Sequence, residues 1–145
     1  MKLSSKSRYA VKSMLQLALL NEDETLPLTS ITEAQGLSQS YLEQLFAALR
    51  AKELIHGMRG PGGGYRIARA PDQVSVAEII AAVDESAFTR PQRPMLSYLD
   101  DERYKFNAMW ADLSNMWFEF LDKISLQELI DNRTHYQSLL SEKAA

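Results

Sequence analysis

A cluster of glycines in the first half of the chain limits its fold more than any other stretch. Residues 59–65 read RGPGGGY, which cannot continue a helix because glycine loses too much backbone freedom there and proline lacks an N–H group. Phosphate-binding glycine loops follow a strand and open directly onto a helix. Here residues 54–59 and residues 65–69 both have short strand patterns. The cluster therefore predicts the tip of a β-hairpin rather than a nucleotide-binding loop.

Three helical patterns precede this hairpin. The first covers residues 5–21, where apolar residues recur every three or four positions. The second is expected to start at the capping-box pattern Ser30-x-x-Glu33 and to stop at Gly36, and the third to start near Ser38. Two helices joined by a tight, glycine-containing turn are typical of a helix-turn-helix unit, whose second helix can lie in the major groove of DNA.

The N-terminal end of the third helix carries side chains suited to reading bases. When its apolar positions face the core, a polar set stays exposed, namely Gln39, Ser40, Tyr41, Glu43 and Gln44. Gln can bind adenine with two hydrogen bonds, Glu can accept from cytosine, and Tyr can reach a phosphate. A hairpin directly after such a helix is typical of a winged helix, and Arg59 at its tip suits a narrow minor groove. Each feature alone is also compatible with an ordinary solvated surface.

Charge is divided unevenly along the chain. Residues 1–69 hold nine Lys and Arg against six Asp and Glu, whereas residues 70–145 hold seven against thirteen, which gives the net charge of -3. A locally basic N-terminal part can meet phosphates while the acidic remainder favours solubility, although a balance of this size also arises by ordinary scatter. The chain has no cysteine, which excludes a disulfide, a thiolate metal site and a cysteine nucleophile.

The sequence predicts neither membrane insertion nor catalysis. It has no run of about 18 uncharged apolar residues, and Arg8 and Lys12 interrupt the apolar segment that a signal peptide needs. We therefore expect a cytoplasmic protein with no membrane partner. His56 and His135 lack a nucleophile motif, and acids at helix ends are usually structural, so we do not expect an enzyme.

The C-terminal half predicts a further core helix and a long helix for self-association. The capping boxes Ser75-x-x-Glu78 and Ser125-x-x-Glu128 each open a helix, and residues 86–99 between them form an irregular loop with two prolines. The long helix after this loop has a heptad-like apolar stripe that a small winged-helix core cannot fully shield. We expect it to hold a homodimer through Phe106, Met109, Trp110, Leu113, Met116, Trp117 and Phe120. A cofactor pocket is the alternative use of these aromatic residues.

Several segments together resemble one known family. They are RYAV at residues 8–11, SYLEQLF at 40–46, RGPGGGY at 59–65, VDES at 83–86 and WADL at 110–113. On these segments the chain is similar to the Rrf2 family of bacterial winged-helix transcription regulators, and most similar to its iron–sulfur cluster regulator branch. The resemblance implies a homodimer on a partly palindromic double-stranded DNA site, with the third helix in the major groove and the wing in the minor groove.

The resemblance also implies which residues contact DNA. It assigns base or backbone contacts to Ser40, Tyr41, Glu43 and Gln44, the minor groove to Arg59 and Gly60, and phosphates to Ser5, Lys6 and Tyr9. We also expect Ser38, at the start of the third helix, to bind DNA. In the cluster-binding branch, Glu43 resembles a residue that helps to discriminate between two classes of DNA site.

The sequence departs from this branch at the positions of the cluster ligands. The branch holds a [2Fe-2S] cluster with three cysteines and a histidine, and the matching positions here carry Gln92, Tyr98, Tyr104 and Asn107. These side chains are poor ligands for iron in such a cluster. We therefore expect a regulator without a metal or cofactor, whose signal could be a small molecule or a protein. The alternative is a winged-helix sensor or interaction module that has lost DNA binding.

The expected architecture follows from these segments. It is a mainly α-helical fold with a small β-hairpin, in which a winged helix-turn-helix domain is joined to a long C-terminal dimerisation helix. The expected parts are the DNA-binding domain at 1–85, the loop matching the family's cluster-binding region at 86–99, the dimerisation helix with a short following helix at 100–132, and a tail at 133–145.

Overall fold

A computed structural model of the chain describes residues 3–88 and 102–132. Most of this part is helical, with one two-stranded antiparallel sheet. The elements in chain order are α1 (Ser5–Ala18), α2 (Leu28–Gln35), α3 (Gln39–Ala51), β1 (Ile55–Met58), β2 (Gly64–Ile67), α4 (Val76–Val83), α5 (Glu102–Asp122) and α6 (Leu126–Asp131), with short 3-10 turns at Pro71–Gln73 and Glu85–Phe88. The mainly α-helical fold with a small hairpin is confirmed.

Helices α2 and α3 form the expected helix-turn-helix. Gly36 ends α2 in the left-handed conformation with φ of 64°, and its N–H donates to the carbonyl of Thr32. Two residues later Ser38 caps α3, because its hydroxyl accepts a hydrogen bond from the N–H of Tyr41 at 3.3 Å. The expected start of α2 at the Ser30 capping box is wrong. The helix begins at Leu28, directly after Pro27, which stands at the cap position with φ of −63°.

Strands β1 and β2 form the expected hairpin, with Ile55 opposite Ile67 and Met58 opposite Gly64. The link between α1 and α2 lies along the outer side of this hairpin. There the N–H of Leu26 donates to the carbonyl of Tyr65, and the N–H of Tyr65 donates to the carbonyl of Leu26, both at 2.9 Å. The hairpin is therefore attached to the helix-turn-helix by backbone hydrogen bonds as well as by side-chain packing.

One hydrophobic core joins the helix-turn-helix to the hairpin. Met14 of α1, Phe46 of α3 and Ile55 of β1 are fully buried in it. The Phe46 ring contacts the ring of Tyr65 edge to face, with the ring centroids 4.8 Å apart. A second, smaller cluster joins Ile80 of α4 to the C-terminal half of α5. The hairpin thus packs on the first cluster and the long helix on the second.

The two predicted capping boxes are confirmed, and the structure places them side by side. Ser75 caps α4 with Glu78, and Ser125 caps α6 with Glu128. The residues around the two serines form an antiparallel bridge, and the Ser75 hydroxyl also donates to Asp122 Oδ1 at 2.7 Å. The C-terminal end of α5 is therefore fixed to the start of α4.

Among the side chains of α5 that the structure describes, those of the second half pack on the domain. Ser114 and Leu121 are buried, whereas every side chain from Lys105 to Trp110 is exposed. The apolar pattern that the sequence predicted as one continuous stripe is divided, because Leu121 belongs to the chain's own core. Within residues 3–88 and 102–132, the structure has no helix that is both long and apolar enough to cross a membrane.

Candidate nucleic-acid interface

The first turn and a half of α3 presents the polar surface expected from the sequence. Gln39, Ser40, Glu43 and Gln44 are exposed, while Leu42 on the opposite side is completely buried. The Gln39 amide donates to Glu43 Oε1 at 3.1 Å, one helical turn away. This hydrogen bond orients the Glu43 carboxylate and leaves part of its accepting capacity open to another donor.

Tyr41 differs from the other side chains of this group because it is half-buried. Its ring packs edge to face against the ring of Tyr9 in α1, with the centroids 6.2 Å apart. The guanidinium of Arg8 lies 5.5 Å from the centroid of the Tyr9 ring. The structure thus brings together two predicted DNA-contact residues, Tyr9 and Tyr41, at the junction of α1 and α3.

The start of α1 is fixed by a residue that the sequence interpretation missed. Ser4 caps the helix by accepting from the N–H of Ser7 at 3.1 Å, and its hydroxyl donates to Asp84 Oδ2 at 3.0 Å. Ser86 donates to Asp84 Oδ1 at 2.7 Å. This bond from Ser86 lowers the pKa of Asp84 most, and the hydroxyl of Ser4 and the charge of Lys6 lower it further against the opposing effect of partial burial.

The position of Ser4 carried a signal that could have identified it. Serine immediately before the first helical residue is a preferred cap, so the helix start was readable from the sequence. The bond to Asp84 was not readable, because the two residues are 80 positions apart. The Ser4–Asp84 hydrogen bond fixes the N-terminal end of α1, where the side chains of Ser5 and Lys6 are exposed.

The wing tip is exposed and is shaped by its glycines. Arg59 and Gly60 are both exposed, and Gly60 has φ of 98°, which favours glycine strongly. The N–H of Gly63 donates back to the carbonyl of Gly60 at 2.8 Å and closes the loop. A Cβ atom on Gly63 would lie only 2.6 Å from the Met58 carbonyl oxygen, so this position admits no side chain without a backbone shift.

The two arginines on the returning strand and after it have partners within the protein. Arg69 forms an ion pair with Glu78 at 3.0 Å and also donates to the carbonyl of Gln73. Arg66 donates to the carbonyl of Glu22 at 3.5 Å. Of the arginines around the wing, Arg59 is thus the one at the exposed tip, and Arg69 is partly neutralised by its carboxylate partner.

The predicted positions of cluster ligands fall partly outside the described residues. Gln92 and Tyr98 lie outside residues 3–88 and 102–132, and Tyr104 is described only as part of the backbone of α5. Asn107 is exposed on α5. In the described part of the chain, no group of three or more His, Asp or Glu side chains could hold a metal ion. Since the whole chain also lacks cysteine, its donor atoms do not fit an iron–sulfur cluster.

One face of α5 exposes a large apolar surface, as the sequence predicted. Six of the seven residues expected there are exposed, namely Phe106, Met109, Trp110, Leu113, Met116 and Phe120. The rings of Phe106 and Trp110 stack with centroids 6.2 Å apart. Trp117 is half-buried and packs against the cluster around Ile80, while its ring also stacks on Phe120 at 5.8 Å. Trp117 therefore lies at the border between the chain's own core and the exposed apolar surface.

The chain is similar over most of its length to known transcription regulators. The Rrf2 family model, described as an iron-dependent transcriptional regulator, matches residues 3–132. The regulator IscR of Xenorhabdus nematophila is 45% identical over 133 residues, which is 92% of this chain and 81% of that protein. IscR of Aliivibrio salmonicida is 45% identical over 139 residues, covering 95% and 83% of the two chains.

Solved structures of such regulators share the fold. The structure of T. potens IscR aligns with a TM-score of 0.73 at 32% identity, covering 94% of this chain and 91% of that one. The structure of CymR, the global cysteine regulator of B. subtilis, aligns with a TM-score of 0.70 at 32% identity, covering 89% and 95%.

Proposed function

Because the chain belongs to the Rrf2 family of transcriptional regulators, we propose that it binds a specific, partly palindromic double-stranded DNA site as a homodimer. In this proposal α3 enters the major groove, the wing enters the minor groove, and the protein works without an iron–sulfur cluster. The observation that carries the proposal is the exposed polar end of α3 beside the exposed hairpin tip with Arg59. The helix and the hairpin are held together by one hydrophobic core. Regulation, not catalysis, is the function of such a protein.

Specificity in the major groove is assigned to the exposed side chains of α3. The amide of Gln44 suits adenine. The carboxylate of Glu43, which accepts a hydrogen bond of 3.1 Å from the Gln39 amide, suits the amino group of cytosine. Ser38 and Ser40 at the start of the helix suit backbone or base contacts. Tyr41 has its ring half-buried against Tyr9, so its role is a contact at the edge of the helix rather than deep in the groove.

Affinity is assigned to the wing and to the start of α1. Arg59 is exposed at the tip, where a guanidinium can enter a narrow and strongly negative minor groove, and Gly60 lets the backbone approach closely. Ser5, Lys6 and Tyr9 contact phosphates from the end of α1 that Ser4 caps. Because phosphate contacts release counterions, affinity should fall steeply as salt increases.

Dimerisation is assigned to the exposed apolar side of α5. A soluble monomer seldom exposes this many large apolar residues on one helix face, and Met116 alone is 65% exposed. A two-fold dimer would place its two copies of α3 about 34 Å apart, one turn of DNA, and would therefore require a site with two related halves.

The absence of a cluster is proposed from the donor chemistry of the chain. The family's description is iron-dependent, yet this chain has no thiolate to offer iron. We expect the protein purified without oxygen to lack the visible absorption of an iron–sulfur cluster. An iron chelator should leave its DNA affinity within twofold, whereas a larger loss would refute a cluster-free mode of action.

The DNA-binding proposal is tested on DNA that the wild-type protein selects from a random-sequence library. Gln44→Ala should reduce discrimination between the selected site and random DNA, while Arg59→Ala should weaken binding by about 1–3 kcal/mol. The matched controls are Gln127→Ala and Lys123→Ala, which change the same kinds of side chain at the far end of the chain. If no site is selected, or if all four variants bind like the wild type, the assignment of α3 and the wing is wrong.

The dimer is tested by sedimentation. The wild type should sediment at twice the chain mass of 16.4 kDa. Met116→Glu places a charge in the proposed interface and should shift the protein toward the monomer and weaken binding to the selected site. The control is Asn115→Glu, which places the same charge about 100° around α5 from Met116 and away from the exposed apolar side chains, and it should leave the dimer intact. A wild-type protein that stays monomeric at micromolar concentration would contradict this part of the proposal.

A further inference from the structure

The link between α1 and α2 holds the wing tip through a side chain as well as through its backbone. Thr25 Oγ1 donates a short hydrogen bond of 2.6 Å to the carbonyl of Gly62, 37 residues further along the chain. The next residue, Leu26, exchanges two backbone hydrogen bonds with Tyr65. We call Thr25, Leu26 and their partners Gly62 and Tyr65 the wing clasp. The clasp connects the loop tip itself, and not only the strands, to the helix-turn-helix domain.

We propose that Thr25 is a positioning residue for DNA recognition, which fixes the wing tip in the orientation that places Arg59 in the minor groove. This inference rests on the proposed function, because it concerns how the wing is presented to DNA. Thr25 needs no contact with DNA in this role. It acts through the Gly62 carbonyl and thereby through the path of the loop between β1 and β2.

The tip needs such a restraint because its own sequence gives it little stiffness. Gly60 and Gly62 both have positive φ, and neither would meet another atom within 4 Å if it carried a Cβ. Glycine loses more conformational entropy than any other residue when it becomes ordered. Within the described part of the chain, the bond from Thr25 is the one hydrogen bond that reaches residues 59–63 from outside the hairpin.

Thr25 is itself held in place by the turn before it. The N–H and side-chain amide of Asn21 donate to the two carboxylate oxygens of Glu24 at 3.1 Å and 2.8 Å, and the N–H of Glu24 donates back to the Asn21 carbonyl at 3.0 Å. Pro27 fixes φ on the other side of Thr25 and Leu26. A hydroxyl anchored on both sides orders the tip before DNA arrives, so binding loses less entropy.

The experiment compares Thr25→Val, which keeps the shape but removes the hydroxyl, with Thr25→Ser, which keeps the hydroxyl. Both variants and Arg59→Ala are measured on the selected DNA site by fluorescence anisotropy. Each is also footprinted with a minor-groove probe and with a guanine N7 probe of the major groove. Thermal unfolding of each variant is recorded in parallel, and Thr25→Ala is used if the valine variant does not fold.

We expect Thr25→Val to lose about fivefold in affinity, the scale of one neutral hydrogen bond, and to lose minor-groove protection while major-groove protection persists. Thr25→Ser should keep the affinity and the minor-groove protection within twofold of the wild type. A general loss of stability would instead weaken both footprints together. If Arg59→Ala loses minor-groove protection but Thr25→Val does not, the inference about Thr25 is overturned and the wing assignment stands. If neither Arg59→Ala nor Thr25→Val changes the minor-groove protection, the assignment of the wing to the minor groove is itself wrong.

Discussion

Replacing Gly64 by alanine is a direct test of how closely the wing is pressed against the rest of the domain. A Cβ atom at this position would lie 2.5 Å from the Leu26 carbonyl oxygen, 2.6 Å from the Leu26 carbonyl carbon and 2.8 Å from the Pro27 nitrogen. All three are backbone atoms, so no side-chain rotation can relieve the contact. The two backbones must move apart instead.

The cost follows from the hydrogen bonds that this movement breaks. An ordinary carbon–oxygen contact needs about 3.3 Å, so the separation must grow by about 0.8 Å. The Leu26–Tyr65 pair, now at 2.9 Å in both directions, would then exceed hydrogen-bonding distance. Two such bonds contribute about 1–3 kcal/mol, and the lower entropy of alanine in the unfolded chain offsets about 0.4–1 kcal/mol of this. The net loss in unfolding free energy is therefore about 0–2.6 kcal/mol, with a central value of about 1.3 kcal/mol.

Urea unfolding followed by circular dichroism measures this loss. Gly57→Ala, in the facing strand, is the matched control, because its Cβ would lie at an ordinary 3.4 Å from the Tyr65 ring. The control should be as stable as the wild type or slightly more stable. If Gly64→Ala loses less than about 0.5 kcal/mol relative to Gly57→Ala, the close approach of Leu26 to the wing does not contribute to the stability of the domain.

Three further predictions concern stability. Glu53 has φ of 56°, so Glu53→Gly should raise the urea midpoint by the equivalent of about 0.5–1 kcal/mol; an unchanged midpoint would show that this turn is not strained. The lowered pKa of Asp84 means that its ionised form adds stability above its ordinary pKa of about 3.9 and that this is lost as the pH falls through the folded value. The stability difference between wild type and Asp84→Asn should therefore be present at about pH 6 and vanish at strongly acidic pH in urea titrations. Ser75→Ala should cost about 1–2 kcal/mol and more than Ser125→Ala, because Ser75 also donates to Asp122; equal costs would count against that bond.

Elements set by local chemistry were predictable from the sequence. The boxes at Ser75 and Ser125 form as expected because a serine and a glutamate three residues apart satisfy each other's backbone N–H groups without outside help. The end of α2 at Gly36 and the hairpin around residues 59–65 follow from the conformations that glycine allows. These features depend on neighbours within a few residues.

The start of α2 shows where local patterns fail. Ser30 and Glu33 have the spacing of a capping box, but the helix begins before them at Leu28. Leu26 is already paired with Tyr65 and Pro27 has a fixed φ, so the chain enters the helix directly after the proline. A long-range backbone pairing outweighed a local cap, and no local pattern could reveal it.

The candidate site was predictable in composition more than in arrangement. Exposure of the polar end of α3 follows from the helical period. The half-buried state of Tyr41 depends on its contact with Tyr9, and the division of the α5 stripe depends on where Leu121 meets the second core cluster. Contacts between residues far apart in the chain, such as Thr25 with Gly62, require the folded structure because the pattern around each residue carries no trace of the other.

The bridge between Ser75 and Ser125 makes α5 a lever with one fixed end. Its 21 residues extend about 30 Å, and the contacts with the domain that the structure describes lie in the half that ends at Asp122. A rotation of about 5° at the fixed end would displace the far end by about 2.6 Å, about half the rise of one helical turn. Small changes of packing around Ser114 and Leu121 are thereby enlarged at Phe106 and Trp110, where the exposed aromatic rings stand. The same leverage acts in reverse, since a force on the far end is carried to the capped start of α4 in the core of the winged domain.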